Sequence, residues 1–332
     1  MASGKVRLAA VGLGGWGHVL ADGALKSGAC EIVSCFSRTQ ETRRAFAKKY
    51  GCRQANRLDD VLKDSEVEGV LIATPHSTHA GIICEAASAG KHVFVDKPLT
   101  LTVADARRSI RETARAGVVL QVGHHRRRLG ATRRIRGMIE QGALGMLHQL
   151  EANFSIPNWQ NPKPGWRTDP AERPAGGMTG QGVHMVDNFH YLAGPVKRLS
   201  AFSKKLLGRT SLNDVTSAIF EFESGPLGYL GTTLVIPKMI NLSAFGTDGA
   251  AWSEEDGTRL YFQGRDENAR KELPVEAGDP VAEQLKEFSR CIREGGRPET
   301  GGPEGLEVVA VLEAIIESMN TGRAVEVAPF RG

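Results

Sequence analysis

The stretch Val6-Arg7-Leu8-Ala9-Ala10-Val11-Gly12-Leu13-Gly14-Gly15-Trp16-Gly17 decides the fold. Its first half is a short apolar run of the kind that forms a fully buried strand. Its second half carries glycines at the GxGxxG spacing and opens a helical stretch. In that context each glycine has a task. Gly12 permits the tight turn, Gly14 lets backbone N–H groups approach a pyrophosphate, and Gly17 lets the helix pack close on the strand. The helix N-terminus adds a favourable field for an anion. Leu13, Gly15 and Trp16 complete the loop and are expected at the same ligand. A purely structural glycine turn is the competing reading, and the agreement of position, strand and helix argues against it.

Outward from this loop, β-branched runs alternate with helix-like stretches as far as about Gly123. The runs are Val6 to Val11, Glu31 to Phe36, Gly69 to Ala73, His92 to Val95 and Val118 to Val122. The helical stretches are Gly17 to Ser27, Gln40 to Tyr50, His79 to Ala89 and Ala104 to Ala116. Solidly apolar strands need cover on both faces, which predicts a doubly wound parallel sheet. Beyond residue 124 the strands alternate instead. Leu150, Ala152 and Phe154 face one way with His148 and Ile156, and Ala218, Phe220 and Phe222 alternate with Ile219, Glu221 and Glu223. Two amphipathic helices, Pro280 to Glu294 and Gly305 to Met319, close the pattern. The expected fold class is α/β: an N-terminal Rossmann domain over 1–124, and a C-terminal α+β domain over 125–332 built on an open, mainly antiparallel sheet. The second domain is expected to bind substrate and, through its free sheet face, to form a homodimer or homotetramer.

Composition agrees with two such domains. The chain has 332 residues, 41% hydrophobic and 24% charged, and 42 Lys and Arg against 38 Asp and Glu leave a net charge of +4. Cys30, Cys35, Cys52, Cys84 and Cys291 are scattered with no CxxC pair, so neither a disulfide framework nor a metal site is expected, and a reducing, cytoplasmic setting fits. No secretory leader and no run of about 18 apolar residues points to a membrane. The basic cluster His124 to Arg128, with Arg133, Arg134 and Arg136, invites a nucleic-acid reading. However, Leu129, Ile135, Met138 and Ile139 give it an apolar face, and the arginines are expected on the wet side of a helix.

The second strand ends in Cys35-Phe36-Ser37-Arg38-Thr39, where an acid would bind the ribose of NAD. No acid stands there. Hydroxyls at Ser37 and Thr39 and the guanidinium of Arg38 suit a 2′-phosphate, so NADP is the expected cofactor, with NAD as the alternative. Arg38 as a solvated residue lying over the adenine ring is the competing reading.

Further motifs follow in order: Ala73-Thr74-Pro75 with His79, then Gly90-Lys91-His92-Val93-Phe94-Val95-Asp96-Lys97-Pro98, then Val122-Gly123-His124-His125-Arg126-Arg127, then Gly176-Gly177 through Gly180, His184 and Asp187. This ordered set resembles the glucose-fructose oxidoreductase, inositol dehydrogenase and rhizopine-catabolism (Gfo/Idh/MocA) family. The resemblance implies that Lys97, in the place of the family's EKP lysine, lies near the nicotinamide and the reacting oxygen, and that Asp96 replaces the glutamate. It also implies that Thr74, Pro75 and His79 line the nicotinamide-ribose side, that Arg127 lies near the substrate, and that His184 is the active-site histidine. Two departures stand out: His125 replaces the usual Asn, and Gly180 replaces an Asp four residues before the histidine. Asp187, at i+3, is a candidate to orient the His184 ring or else a structural residue. Trp166 and Arg167, with Asn158 and His190, are further candidates for substrate hydrogen bonds.

Hydride transfer at a carbinol carbon requires a proton to leave or reach the attached oxygen, and a positioned lysine such as Lys97 does both, accepting as the amine and donating as the ammonium. A lysine merely paired with Asp96 is the structural alternative. The expected activity is an NAD(P)-dependent dehydrogenase or reductase acting on a CH–OH group of a sugar, cyclitol or alicyclic diol. A dinucleotide-binding sensor and a glycosidase using retained NAD are the alternatives.

Overall fold

The strand Val6–Val11 (β1) is buried along all but Arg7 because it has a neighbour on each side and helices over both faces. The computed structural model describes residues 4–157 and 165–331. It divides into two units, one of Met1–His125 with Asp279–Leu306 and one of Arg126–Gly278 with Glu307–Gly332.

In the first unit β1 is followed by α1 (Gly15–Lys26), β2 (Cys30–Phe36), α2 (Gln40–Tyr50), β3 (Arg53–Gln54) and α3 (Leu58–Lys63). Then come β4 (Gly69–Ile72), α4 (His79–Ser88), β5 (His92–Val95), α5 (Val103–Ala116) and β6 (Leu120–Val122). The strand order is β3-β2-β1-β4-β5-β6 and every pairing is parallel, the doubly wound arrangement expected. Residues 118 and 119, expected in the last strand, belong to the exit from α5, where the Val118 N–H donates to the Thr113 carbonyl at 3.1 Å. Strand order reverses between β1 and β4, so a crevice opens at their carboxyl ends.

The second unit contains α6 (Gly130–Glu140), β7 (Leu147–Ser155), α7 (Val183–Ala193), β8 (Val196–Lys204), β9 (Val215–Phe222) and β10 (Leu227–Thr233). They are followed by β11 (Met239–Gly246), β12 (Gly249–Glu254), β13 (Arg259–Gly264) and β14 (Lys271–Leu273). The sheet runs β14-β13-β12-β11-β7-β10-β9-β8-β15, with β15 at Val325–Glu326, and is antiparallel except where β10 meets β7. One face is covered by α7, whose Phe189 packs edge-on against Phe220 and Phe222 at 5.7 and 5.8 Å. Alternation along β9 holds as expected. Along β7 it is broken at both ends, where His148 is exposed and Ser155 is buried.

Two expectations are corrected. A single cut near residue 124 misplaces the late helix α8 (Pro280–Glu294). Its Val281, Leu285 and Phe288 join Val6, Leu8, Leu20 and Phe94 in one core, and residues 279–306 therefore belong to the first unit, the division falling within α9 (Gly302–Thr321). Arg126 and Arg128, expected on a wet helix face, are buried together with Arg127 in a short 3₁₀ turn. Only Arg133 and Arg134 of the cluster lie exposed on α6. Among the described residues no helix is long and apolar enough to cross a membrane.

Candidate active site

The cofactor loop leaves β1 at Gly12, whose φ is +90°. A Cβ there would meet the Ala73 carbonyl oxygen at 2.5 Å and Thr74 Cγ2 at 2.9 Å, so only glycine lets the β1 and β4 loops lie so close. A Cβ on Gly17 would meet the Gly12 carbonyl oxygen at 2.1 Å, which locks α1 against the turn. Gly14 and Gly15 face open space with nothing within 4 Å. Gly14 is the N-cap of α1 without a side-chain cap, and the first turn carries no acid. Bare backbone donors, an open cradle and a helix terminus together fit a dinucleotide pyrophosphate. Trp16 lies beside His125, ring centroids 5.3 Å apart.

At the end of β2, Arg38 is exposed and Ser37 is half-buried. Their loop is held from beneath by Arg43 of α2. Its Nη1 donates to the carbonyls of Ser37 at 2.7 Å and Arg38 at 3.2 Å, and its Nη2 to Asn56 Oδ1 at 3.3 Å. The Ser37 hydroxyl donates to the Thr39 carbonyl at 3.3 Å. Arg43 carried no signal in the sequence, because its partners are the Asn56 side chain and backbone carbonyls of a loop whose shape only the fold sets.

The last residues of β1, β4 and β5 stand in register as Val11, Ile72 and Val95. Gly12, Thr74 and Lys97 therefore leave the sheet at the same carboxyl edge. Lys97 is half-buried, and the Lys97–Pro98 peptide is cis. Expected among the cofactor-lining residues, His79 is fully buried at 0% exposure. Its Nδ1 lies 3.0 Å from the Pro98 carbonyl oxygen and its Nε2 3.2 Å from that of Thr74. This geometry makes His79 a clamp joining the two loops. The Thr78 hydroxyl, 2.7 Å from both Thr74 Oγ1 and the Pro75 carbonyl oxygen, tightens the same turn.

In the second unit a π-helical turn, Met178–Gly182, leads into α7 and carries Gly180. His184, in the first turn of α7, is buried and stacked on Phe154 with centroids 5.5 Å apart. The Arg126 guanidinium covers the same Phe154 ring at 4.8 Å. Asp187 holds Arg127: the guanidinium Nε and Nη2 donate to Oδ2 and Oδ1, both at 2.8 Å, in a buried bidentate pair. Arg127, expected at the substrate, thus anchors α7. Asp187, weighed as an orienter of His184, accepts from Arg127 through both its oxygens. Upstream, the Arg167 guanidinium lies 4.3 Å over the Trp166 ring. Arg173, which nothing in the sequence singled out, is buried against Gly180 and donates from Nη2 to Gln181 Oε1. His190 is half-buried, and Asn158 lies outside the described residues.

A glycine cradle and an ammonium on one edge of a Rossmann sheet define a nicotinamide-dinucleotide oxidoreductase fold. Comparison with known proteins agrees. Residues 6–124 match the model of the oxidoreductase family with an NAD-binding Rossmann fold, and residues 132–252 match the GFO/IDH/MocA C-terminal domain. The chain belongs to the GFO/IDH/MocA family. It is 30% identical to the rhizopine catabolism protein MocA of Rhizobium meliloti over 95% of this chain and 96% of that one. Identity is 25% to 1,5-anhydro-D-fructose reductase of Ensifer adhaerens, over 92% and 93% of the two chains. A solved structure described as an NADPH-dependent oxidoreductase from Desulfitobacterium hafniense superposes with a TM-score of 0.94 at 32% identity, covering all of both chains.

Proposed function

We propose that this protein is an NADP-preferring dehydrogenase or reductase that moves a hydride between nicotinamide and a secondary alcohol or ketone of a sugar, cyclitol or alicyclic diol. One observation carries the reading: the nucleotide cradle at Gly12, the Thr74 loop and the Lys97 ammonium emerge side by side from β1, β4 and β5 at a topological switch point. The nicotinamide, when bound, supplies or takes up the hydride. Lys97, as the neutral amine, takes the proton lost by the substrate hydroxyl as its C–H and O–H bonds break and C=O forms, and as the resulting ammonium returns a proton in the reverse direction. Ser37, Arg38 and Thr39 hold the 2′-phosphate, on a loop pinned by Arg43. His184, its ring fixed by Phe154, hydrogen-bonds the substrate hydroxyl. The names of the relatives, an anhydrofructose reductase and an NADPH-dependent oxidoreductase, support this substrate class and this cofactor. Self-association through the open sheet face completes the proposal.

The test is turnover of a polyol and sugar panel with NADP, followed at 340 nm. Lys97→Met is expected to leave cofactor binding near wild type and to lower kcat by at least ~10²-fold. An unchanged kcat removes Lys97 from the chemistry. Quenching of cofactor fluorescence with no absorbance change on any substrate would instead mark a dinucleotide sensor.

A further inference from the structure

One turn of the second unit keeps its backbone in a conformation that side chains resist. Among the described residues Glu255 and Asp256 are the two non-glycines with left-handed backbone, at φ +49° and +64°, and Gly257 follows at +88°. Left-handed backbone at a residue with a Cβ costs energy and persists only where the surroundings hold it. A Cβ on Gly257 would meet Leu129 Cδ1 at 3.0 Å, so the turn lies close against Leu129, which directly follows the 3₁₀ turn of Arg126. The same turn delivers the Asp256 carboxylate to that arginine. Arg126 Nη1 donates to Oδ1 at 2.7 Å, Nη2 donates to the same oxygen, and Lys238 Nζ donates to Oδ2 at 2.7 Å.

Arg126 is 6% exposed, and its guanidinium hydrogen bonds to described residues both go to Asp256. Burial draws its pKa below the usual value and the Asp256 carboxylate opposes this, so the pair keeps a cation where solvent hardly reaches. That cation lies 4.8 Å over the Phe154 ring, and the same ring stacks on His184 at 5.5 Å with 21° between the planes. Phe154 is only half-buried, so core packing alone does not set its angle. A planar guanidinium on the ring face adds the missing constraint through its attraction to the ring quadrupole. Asp256, Arg126, Phe154 and His184 thus form one chain of contacts inside the second unit.

We propose that Arg126, anchored by Asp256, is a positioning residue for His184: the guanidinium holds the Phe154 ring, and the ring sets the plane in which the imidazole meets the substrate hydroxyl. This role rests on the oxidoreductase reading above, in which His184 binds that hydroxyl. Hydrogen bonds weaken steeply as their angle departs from linear, so a ring free to tilt slows the chemistry. Dinucleotide affinity, supplied by the glycine cradle of the first unit, does not depend on it.

The experiment uses the full-length protein and two readouts, the first of which needs no substrate. In protein carrying isotope-labelled histidine, the His184 Hε1 and Hδ2 resonances are identified as those missing from His184→Gln, and Phe154→Leu shows how far the aromatic ring displaces them. Arg126→Met and Asp256→Asn are expected to lose most of that displacement, whereas Arg126→Lys, which keeps a cation at the ring, should retain part of it. Asparagine tolerates left-handed backbone, so Asp256→Asn removes the anchor and keeps the turn, and it reads the same question should Arg126→Met not fold. The second readout is turnover of D-glucose, D-xylose and myo-inositol with NADP, followed by NADPH absorbance. Arg126→Met and Asp256→Asn should lower kcat by roughly 10- to 100-fold and change the Kd for NADP by less than about threefold, with Arg126→Lys in between. A His184 displacement unchanged in both variants overturns the proposal. So does a wild-type kcat in a variant that has lost the displacement, a kcat loss that Arg126→Lys fails to relieve, or an equal loss of NADP binding. Absence of all turnover in the wild type would count against the oxidoreductase reading instead. The His184 resonances then decide alone: displacement lost in the variants supports the positioning role, and displacement kept removes it.

Discussion

The proposed preference for NADP turns on single side chains of the loop after β2. Arg43 fixes the carbonyls of Ser37 and Arg38, which leaves the exposed Arg38 guanidinium at the end of a rigid loop. A charge-assisted bond to a 2′-phosphate adds affinity for NADP alone. Arg38→Ala is accordingly expected to raise the Kd for NADP by roughly 10- to 100-fold and that for NAD by less than about threefold, as measured by fluorescence titration. Equal losses for both would contradict the phosphate reading. At this scale the sequence was legible wherever structure follows from local chain geometry. The spacing of Gly12, Gly14 and Gly17 carries its meaning in one turn, and Lys97 stands inside a dense motif. It was silent on Arg43 and Arg173, whose partners, the loop carbonyls and Asn56 for the one and Gln181 for the other, are set by the fold. It misled for Arg126, because the acid that lets it stay buried, Asp256, lies 130 residues away. No local window shows such a partner.

Elements behave likewise: periodicity identifies a helix but not the sheet it covers. The apolar stripe of α8 was readable, yet its destination was not. Val281, Leu285 and Phe288 enter the first unit's core, and a Cβ on Gly23 of α1 would meet Val281 Cγ1 at 2.6 Å. An ion cluster secures the far end of the helix. Arg293 donates to Glu68 at 2.6 and 3.0 Å and to the carbonyls of Gly4 and Lys5, and Arg7 donates to Glu68 as well. Arg293, then the Arg7 backbone and guanidinium, outweigh burial and hold the Glu68 carboxyl down at about 2, from 4.5. A depressed carboxylate pKa stabilises the fold fully above the unfolded value and loses that contribution as pH falls toward the folded one. Glu68→Gln should therefore lower unfolding stability by about 1–2 kcal/mol at pH 7, allowing for screening of a partly exposed cluster. The gap from wild type should shrink between pH 4.5 and about 2. Urea titrations at several pH values measure it, and a gap independent of pH would show that the helix is held by packing alone.

At the scale of the whole molecule the alternation along β8, β9 and β10 poses a problem that one chain leaves unsolved. Inward residues Ala218, Phe220 and Leu230 are buried. A sheet meeting water on its other face should present polar residues there. Here that face carries Phe202 at 71%, Ile219 at 58%, Leu227 at 52% and Tyr229 at 41% exposure. Ile219 stands directly opposite Tyr229, and Phe202 and Leu227 lie one cross-strand step to either side, opposite Ser217 and Glu221, so these apolar side chains share one region of the face. Such a patch on a stable protein marks a partner surface, and a second copy placing the same face against it satisfies both chains with one isologous contact. The double variant Ile219→Asp, Tyr229→Glu puts two unpaired carboxylates into that contact. Light scattering on size-exclusion chromatography should report a dimer or tetramer for the wild type and a monomer for the variant at micromolar concentration. The wild-type Tm should also rise with protein concentration, because association stabilises the folded state by mass action, while that of the variant should not. A wild type that elutes as a monomer, with a Tm independent of concentration, would remove the homo-oligomer from the proposal and leave this apolar region to a different partner.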